Sequence, residues 1–282
     1  MTVEPHDPPV TKRLHLLEPD EIDALYAHPR FTPDERHHYF TLTAPERVLV
    51  EQFRTRSTQI ACILQLGYFA AKRCFFALDA PEVTDDIAAI QAQHFPHAEP
   101  VPWACPTKPT ILHQQNQILN LFPYRRCRAA ERQLLTQRAR QAAQLSGKPV
   151  YLVRDALQLL TAQRIVLPGY TVLQSLIGAA ISFEHQRLTG LLTATLSAGE
   201  TAALDALLTT ETAGVTTMTF LKREPPDVSR IAMRQEIVRT DALRPLAAIA
   251  MRVLPQLAIA PEGVSYYASL VSFFSVFQFC TT

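Results

Sequence analysis

Arg125, Arg126 and Arg128 place three guanidinium groups within four positions, directly after Pro123-Tyr124. Guanidinium forks match phosphate oxygens and guanine edges, so the chemistry on offer is recognition of a nucleic-acid strand rather than bond making. The cluster belongs to a longer basic block. From Lys108 to Arg164 the chain carries Lys108, Arg125, Arg126, Arg128, Arg132, Arg138, Arg140, Lys148, Arg154 and Arg164, against only Glu131 and Asp155. Residues 1–100 hold nine Lys/Arg and fifteen Asp/Glu, a balance of −6, while the whole chain has a formal net charge of +1. Positive charge gathered in the middle of a near-neutral chain is the electrostatic footprint of a phosphate reader. A solvated helix face whose long arginine stems cover apolar surface gives the same block, and charge alone leaves both readings open.

Three further sets qualify as DNA contacts. Gln114, Gln115, Asn116 and Gln117 precede the arginine cluster on a helix, and amides can hydrogen-bond adenine through both of its major-groove atoms. Thr171 and Gln174 open another helix, with Arg154 and Arg164 before it. Arg54 and Arg56, beside Ser57 and Thr58, sit at a helix start, where backbone N–H groups favour an anion. Each set has a plainer reading: solvated amides, a capping pair at Thr171-x-x-Gln174, and a capped helix with surface arginines.

Catalytic signatures are missing. The sequence has no phosphate-binding Walker loop, no Gly-x-Ser-x-Gly, no His-Glu-x-x-His and no Gly-x-Gly-x-x-Gly. The Asp85-Asp86 pair falls at a helix start, where the helix dipole accounts for it. His94, His97 and Cys105 lack a fourth zinc ligand at standard spacing, and the five cysteines are scattered without a Cys-x-x-Cys. No catalytic residue, metal or cofactor is expected. Glu4, Asp7 and the early prolines exclude an apolar secretory core, which points to a cytoplasmic, nucleoid-associated protein. Residues 263–282 are uncharged and aromatic, but Ser265, Ser269, Ser272 and Ser275 recur through them, so a buried helix is expected rather than a membrane span.

The elements that would position these groups read as helix after helix, so the fold class is mainly α. Thr32-Pro33-Asp34-Glu35, Thr43-Ala44-Pro45-Glu46, Thr171-x-x-Gln174 and Ser197-x-x-Glu200 are capping boxes. Helices are expected over about 57–78, 84–95, 111–122, 128–145, 152–164, 171–185, 197–208, 228–239 and 242–254. Val215 to Leu221, with alternating threonines, reads as the one short strand-like segment. Gly147 suits a left-handed helix end and Pro149 prevents continuation, which marks a domain boundary there. The organisation is then two tandem multi-helix domains, 10–146 and 149–260, followed by the start of a further helical region at 261–282. Both domains contain a helix, a proline turn and a second helix, the outline of a helix-turn-helix.

Several blocks resemble the N-terminal region of the Tn-three family of replicative transposases. They are Arg36–Leu42 (RHHYFTL), Thr55–Phe76 (TRSTQIACILQLGYFAAKRCFF), Ile118–Arg140 around Tyr124-Arg125-Arg126-Cys127, and Lys148-Pro149-Val150-Tyr151. Gln163–Tyr170 (QRIVLPGY), Leu221-Lys222-Arg223-Glu224-Pro225 and Tyr266–Val271 (YYASLV) continue the series in collinear order. The resemblance implies tandem helical domains that recognise the terminal inverted repeats of a transposon. In that family the strand-transfer chemistry belongs to a later metal-binding Asp-Asp-Glu domain, to which no residue here corresponds. The end of the chain departs from the family after Tyr266-Tyr267, as a truncated product would. The expected partners are double-stranded DNA and full-length transposase, with no membrane. The alternative is a helical interaction module that pairs with the full-length protein and inhibits it.

Overall fold

A computed structural model describes residues 16–99, 102–208, 217–222 and 227–273. Among the described residues thirteen helices follow one another: α1 (Pro19–Tyr26), α2 (Pro33–Phe40), α3 (Ala44–Glu51), α4 (Arg56–Lys72), α5 (Ala80–His94), α6 (Lys108–Leu121) and α7 (Ala129–Leu145) come first. Then come α8 (Pro149–Ala162), α9 (Tyr170–Thr195), α10 (Ala198–Ala206), α11 (Thr217–Lys222), α12 (Arg230–Leu257) and α13 (Pro261–Phe273). Among the described residues the only β pairing is an isolated parallel bridge between Arg125 and Ile165. The protein is therefore mainly α, as the capping and proline pattern implies.

The chain divides into two compact units. The first comprises residues 1–137 and 153–177, and the second 138–152 and 178–282. A single cut near Gly147 does not describe this division, because the chain leaves the first unit within α7 and returns within α8.

In the first unit α4 is the central element. Ile60 through Phe69 are all buried, so this helix shows no solvent face over that stretch and is packed by α2, α3, α5 and α6. Burying a side chain of this size stabilises by about 1.5–3 kcal/mol, which makes α4 the chief source of the unit's cohesion. Gly67 permits the closest approach, since a Cβ there would lie 2.6 Å from a Phe40 ring carbon. A buried polar knot fastens α2 and α5 to α4. Asp86 accepts from Arg36 Nε and from the Tyr68 hydroxyl, both at 2.7 Å.

In the second unit Leu188, Val253 and Leu257 form a small core joined by Leu191, Leu192, Ile249 and Tyr267. The Arg187 guanidinium bonds the Glu184 carboxylate and, at 3.0 Å, the Leu257 carbonyl at the end of α12. Arg252 reaches Glu200 Oε1 at 2.5 Å and so ties α12 to α10.

Several local expectations need correction. Residues 217–221 are helical, not a strand: one turn of α11 is fixed by the Met218 N–H bond to the Leu207 carbonyl (3.1 Å), which overrides the β preference of its threonines. Residues 215 and 216 of that expected strand, like 274–282 of the aromatic end, lie outside the described residues. The two helices expected over 228–254 are one helix, α12, which runs through Pro245 and Pro255. Buried Ala232 and Arg239 before Pro245, and buried Val253 and Leu257 on either side of Pro255, hold the helix by packing. Thr84 does not start α5; its hydroxyl donates back to the Ala80 carbonyl at 2.6 Å, and the helix begins at Ala80-Pro81. Thr171 does not cap α9 either. It lies inside the first turn, and Gly169 offers the carbonyl that Val172 and Leu173 N–H groups reach. Gly147 is not left-handed. It is buried and needed for close approach, because a Cβ there would run into the Tyr266 ring. Among the described residues no helix is long and apolar enough to cross a membrane.

Candidate nucleic-acid interface

Three chain segments of the first unit meet at the arginine cluster. One is the α6–α7 connection, residues 122–128. Another is the α8–α9 connection, residues 163–169. The third is the end of α4 at Arg73. The backbone stitches them together: Arg125 N–H donates to the Arg164 carbonyl (2.9 Å), Val166 N–H to the Arg125 carbonyl (2.8 Å), and Leu167 N–H to the Arg73 carbonyl (3.1 Å). Tyr26 closes the ring from α1, its hydroxyl donating to the Pro168 carbonyl at 3.0 Å.

This framework fixes the guanidinium groups at different degrees of freedom. Arg126 is the most held. Its Nη2 donates to Gln115 Oε1 (2.9 Å), its Nε to Asn116 Oδ1 (3.3 Å), and its guanidinium stands 5.6 Å from the Phe75 ring centre. Partial burial, and then the nearby Arg128 charge, draw the Arg126 guanidinium below the usual arginine range. Arginine remains charged under such conditions, so the site carries a partly desolvated positive charge. Arg125 lies more open, with 56% of its side chain exposed; it contacts the Gln163 carbonyl at 3.4 Å and Glu131 at 3.7 Å. The Arg128 side chain is exposed, and its backbone N–H donates to Glu131 Oε2 at 3.1 Å, which starts α7. Arg132 follows one turn later on the same helix and is exposed. Glu131 is the one acid lining the shallow groove formed by Asn116, Asn120, Arg125, Arg126 and Arg128.

Arg164 occupies a special backbone position. Helix α8 ends with Ile165 N–H on the Leu160 carbonyl (2.8 Å) and Arg164 N–H on the Thr161 carbonyl (3.2 Å). That is the double-bonded helix end in which glycine usually takes the left-handed residue. Here Arg164 takes it, with φ 49°. Arg73 does the same after α4, with φ 57° and ψ 24°. The left-handed conformation costs a side-chain-bearing residue on the order of 1 kcal/mol.

The remaining sequence candidates fall in different places. Gln114 is a correction: it is 0% exposed, accepts from Gln65 Nε2 (2.6 Å) and donates to the Thr58 carbonyl (2.8 Å), so its amide is used in the core and cannot reach a duplex. Asn116 is exposed and supports Arg126, while Gln117 is half-buried on α6. Arg56 starts α4 but its guanidinium is engaged by the Glu99 carbonyl (2.6 Å) and the Phe95 ring (5.8 Å). Arg54, Lys108, Arg154 and Thr171 are exposed in the first unit and take part in none of these bonds, and Gln174 is half-buried in α9. Arg138, Arg140 and Lys148 belong to the second unit, where Arg140 lies 4.1 Å from the Phe183 ring centre and Lys148 5.5 Å from that of Tyr151.

Arg73 is the group that sequence reasoning passed over. It is exposed, and its guanidinium sits 5.7 Å from the Tyr124 ring centre. The one available signal was a cation directly after a long apolar helix, at the position where a glycine would ordinarily end it.

Residues 16–180 match the family described as Domain of unknown function (DUF4158), and the chain belongs to that family. The matched stretch contains α1 through α8, both connections of the arginine cluster and the start of α9. No curated protein matches the chain.

Proposed function

We propose that this chain binds duplex DNA through its first unit, as the N-terminal recognition region of a Tn-three family transposase that engages transposon terminal inverted repeats. The observation that supports it is that backbone bonds join the two connections carrying Arg125, Arg126, Arg128 and Arg164 to the end of α4 at Arg73, with Glu131 the one acid lining the groove beside Arg125, Arg126 and Arg128. Arginines fixed by backbone bonds and amide partners are preorganised for phosphate oxygens, which reduces the entropy lost on binding. The reading assigns these residues no catalytic step: guanidinium groups supply positive charge and donors, not a nucleophile or a general base. The strand-transfer chemistry would reside elsewhere in such a protein.

The test is fluorescence anisotropy of the full chain on a labelled inverted-repeat duplex, titrated between about 50 and 200 mM salt. Five or six phosphate contacts give a log–log slope of roughly −5. Each phosphate contact is worth about eightfold at 0.1 M salt, so Arg125→Ala with Arg126→Ala should weaken binding about sixtyfold and flatten the slope to about −3. A wild-type slope near zero refutes the proposal.

The exposed apolar side chains of α12, among them Ile231 (71%), Met233 (62%) and Met251 (80%), favour a second reading, a helical module that pairs with a full-length transposase and inhibits it. In that case the two proteins co-elute, and the Arg125/Arg126 double variant still pairs.

A further inference from the structure

We infer that Arg164 grips a backbone phosphate of duplex DNA, and that its left-handed conformation is the cost of placing a cation where glycine would fit without strain; this rests on the DNA-binding reading above. Both left-handed arginines present their carbonyls to a neighbouring segment, Arg73 to Leu167 and Arg164 to Arg125. Glycine would present those carbonyls equally well, so the backbone bonds do not explain the side chains. For Arg73 the fold itself supplies a reason. Its guanidinium donates to the Phe69 carbonyl (3.4 Å) and lies against the rings of Phe69 and Tyr124. Arg164 has no such return: among the described residues its guanidinium makes no hydrogen bond, ion pair or ring contact.

An exposed, strained residue whose side chain contributes nothing within the chain points to a ligand outside it. The surroundings say which kind. Arg125 is bonded to Arg164 through the backbone, and its own guanidinium lies over the adjacent Gln163 carbonyl. Two exposed arginines on neighbouring, hydrogen-bonded segments offer donors and positive charge to one polyanion. A backbone phosphate fits this requirement at any sequence, whereas base reading would need Arg164 to stand on an element that enters a groove.

Three variants of the full chain separate this role from a structural one. Arg164→Gly removes charge and strain, Arg164→Ala removes the charge and keeps the strain, and Arg164→Lys keeps both. Melting and salt-dependent anisotropy are measured on the same preparations, with a mixed-sequence duplex beside the inverted-repeat duplex. Arg164→Gly should melt about 2 °C higher than wild type, the share of strain released in a domain of this size. Arg164→Ala should not melt higher. Both should lose about eightfold in affinity at 0.1 M salt on both duplexes and lower the salt slope by about 0.9, while Arg164→Lys stays close to wild type. An Arg164→Gly chain that melts lower, or that binds with unchanged affinity and slope while wild type binds normally, overturns this inference alone. A wild-type chain that binds neither duplex overturns the DNA reading and this inference with it.

Discussion

Gln114→Ala separates a core amide from an interface amide. Gln114 accepts from Gln65 Nε2 at 2.6 Å and donates to the Thr58 carbonyl at 2.8 Å, with both glutamines at most 1% exposed. Truncation takes from the Thr58 carbonyl the bond it accepts beyond the α4 ladder, and leaves Gln65 with one long bond to Ala61 (3.4 Å), in a side chain whose Oε1 already lacks a partner. Two buried bonds lost at 1–1.5 kcal/mol each, with a small cavity, amount to about 3 kcal/mol. At about 3 °C per kcal/mol for a domain of this size, the melting temperature falls by about 9 °C. The assay is a thermal melt followed by circular dichroism, paired with anisotropy on labelled duplex well below the transition. Affinity of the folded variant should equal wild type. Replacing both residues, Gln65→Leu with Gln114→Leu, should restore much of the stability, because an apolar pair leaves neither amide stranded. A Gln114→Ala chain that melts like wild type but binds DNA poorly refutes the assignment of this amide to the core.

Two other predictions concern the second unit. Gly147→Ala should destabilise it by about 1–3 kcal/mol, since the new methyl meets the Tyr266 ring, and Gly147→Ala with Tyr266→Leu should recover most of the loss in a melt. Glu200 titrates low, moved from 4.5 to about 2, first by the Ser197 N–H bond and then by Arg252. A carboxyl held lower in the folded state stabilises above its ordinary value and loses that contribution as pH falls, so the α10–α12 tie should weaken between pH 4.5 and about 2. Melts across that window should show a smaller pH response for Glu200→Gln; an identical response refutes the tie.

Three helix starts were legible from a local signal. Thr32, Thr43 and Ser197 do form reciprocal capping boxes with Glu35, Glu46 and Glu200. The failures occur where tertiary contacts decide. Gly147 reads as a helix stop, yet its constraint is the Tyr266 ring, more than a hundred residues away. Residues 240–241 read as a gap between two helices, yet α12 runs on through them, with buried Ala232 and Arg239 on one side and Val253 and Leu257 on the other. Of the site, the arginine block was visible as charge, but which members gather was not. Arg138, Arg140 and Lys148 share the block with Arg125 in sequence and not in compact unit. The role of Gln114 was hidden because a polar residue on a polar-looking helix carries no mark of its burial. Arg73 was invisible for a related reason, since nothing in a lysine-arginine pair announces a left-handed backbone.

The parallel bridge between Arg125 and Ile165 has a bearing on biosynthesis. The ribosome delivers chain from the amino end at about 5–20 residues per second, so the mates of Arg125 emerge seconds after it does. Until then the amide and carbonyl of Arg125 face water, and the rim around them is an open hoop. A gene product stopped between residues 137 and 153 would leave that hoop permanently unclosed, although α4 and its packed neighbours would already be in place.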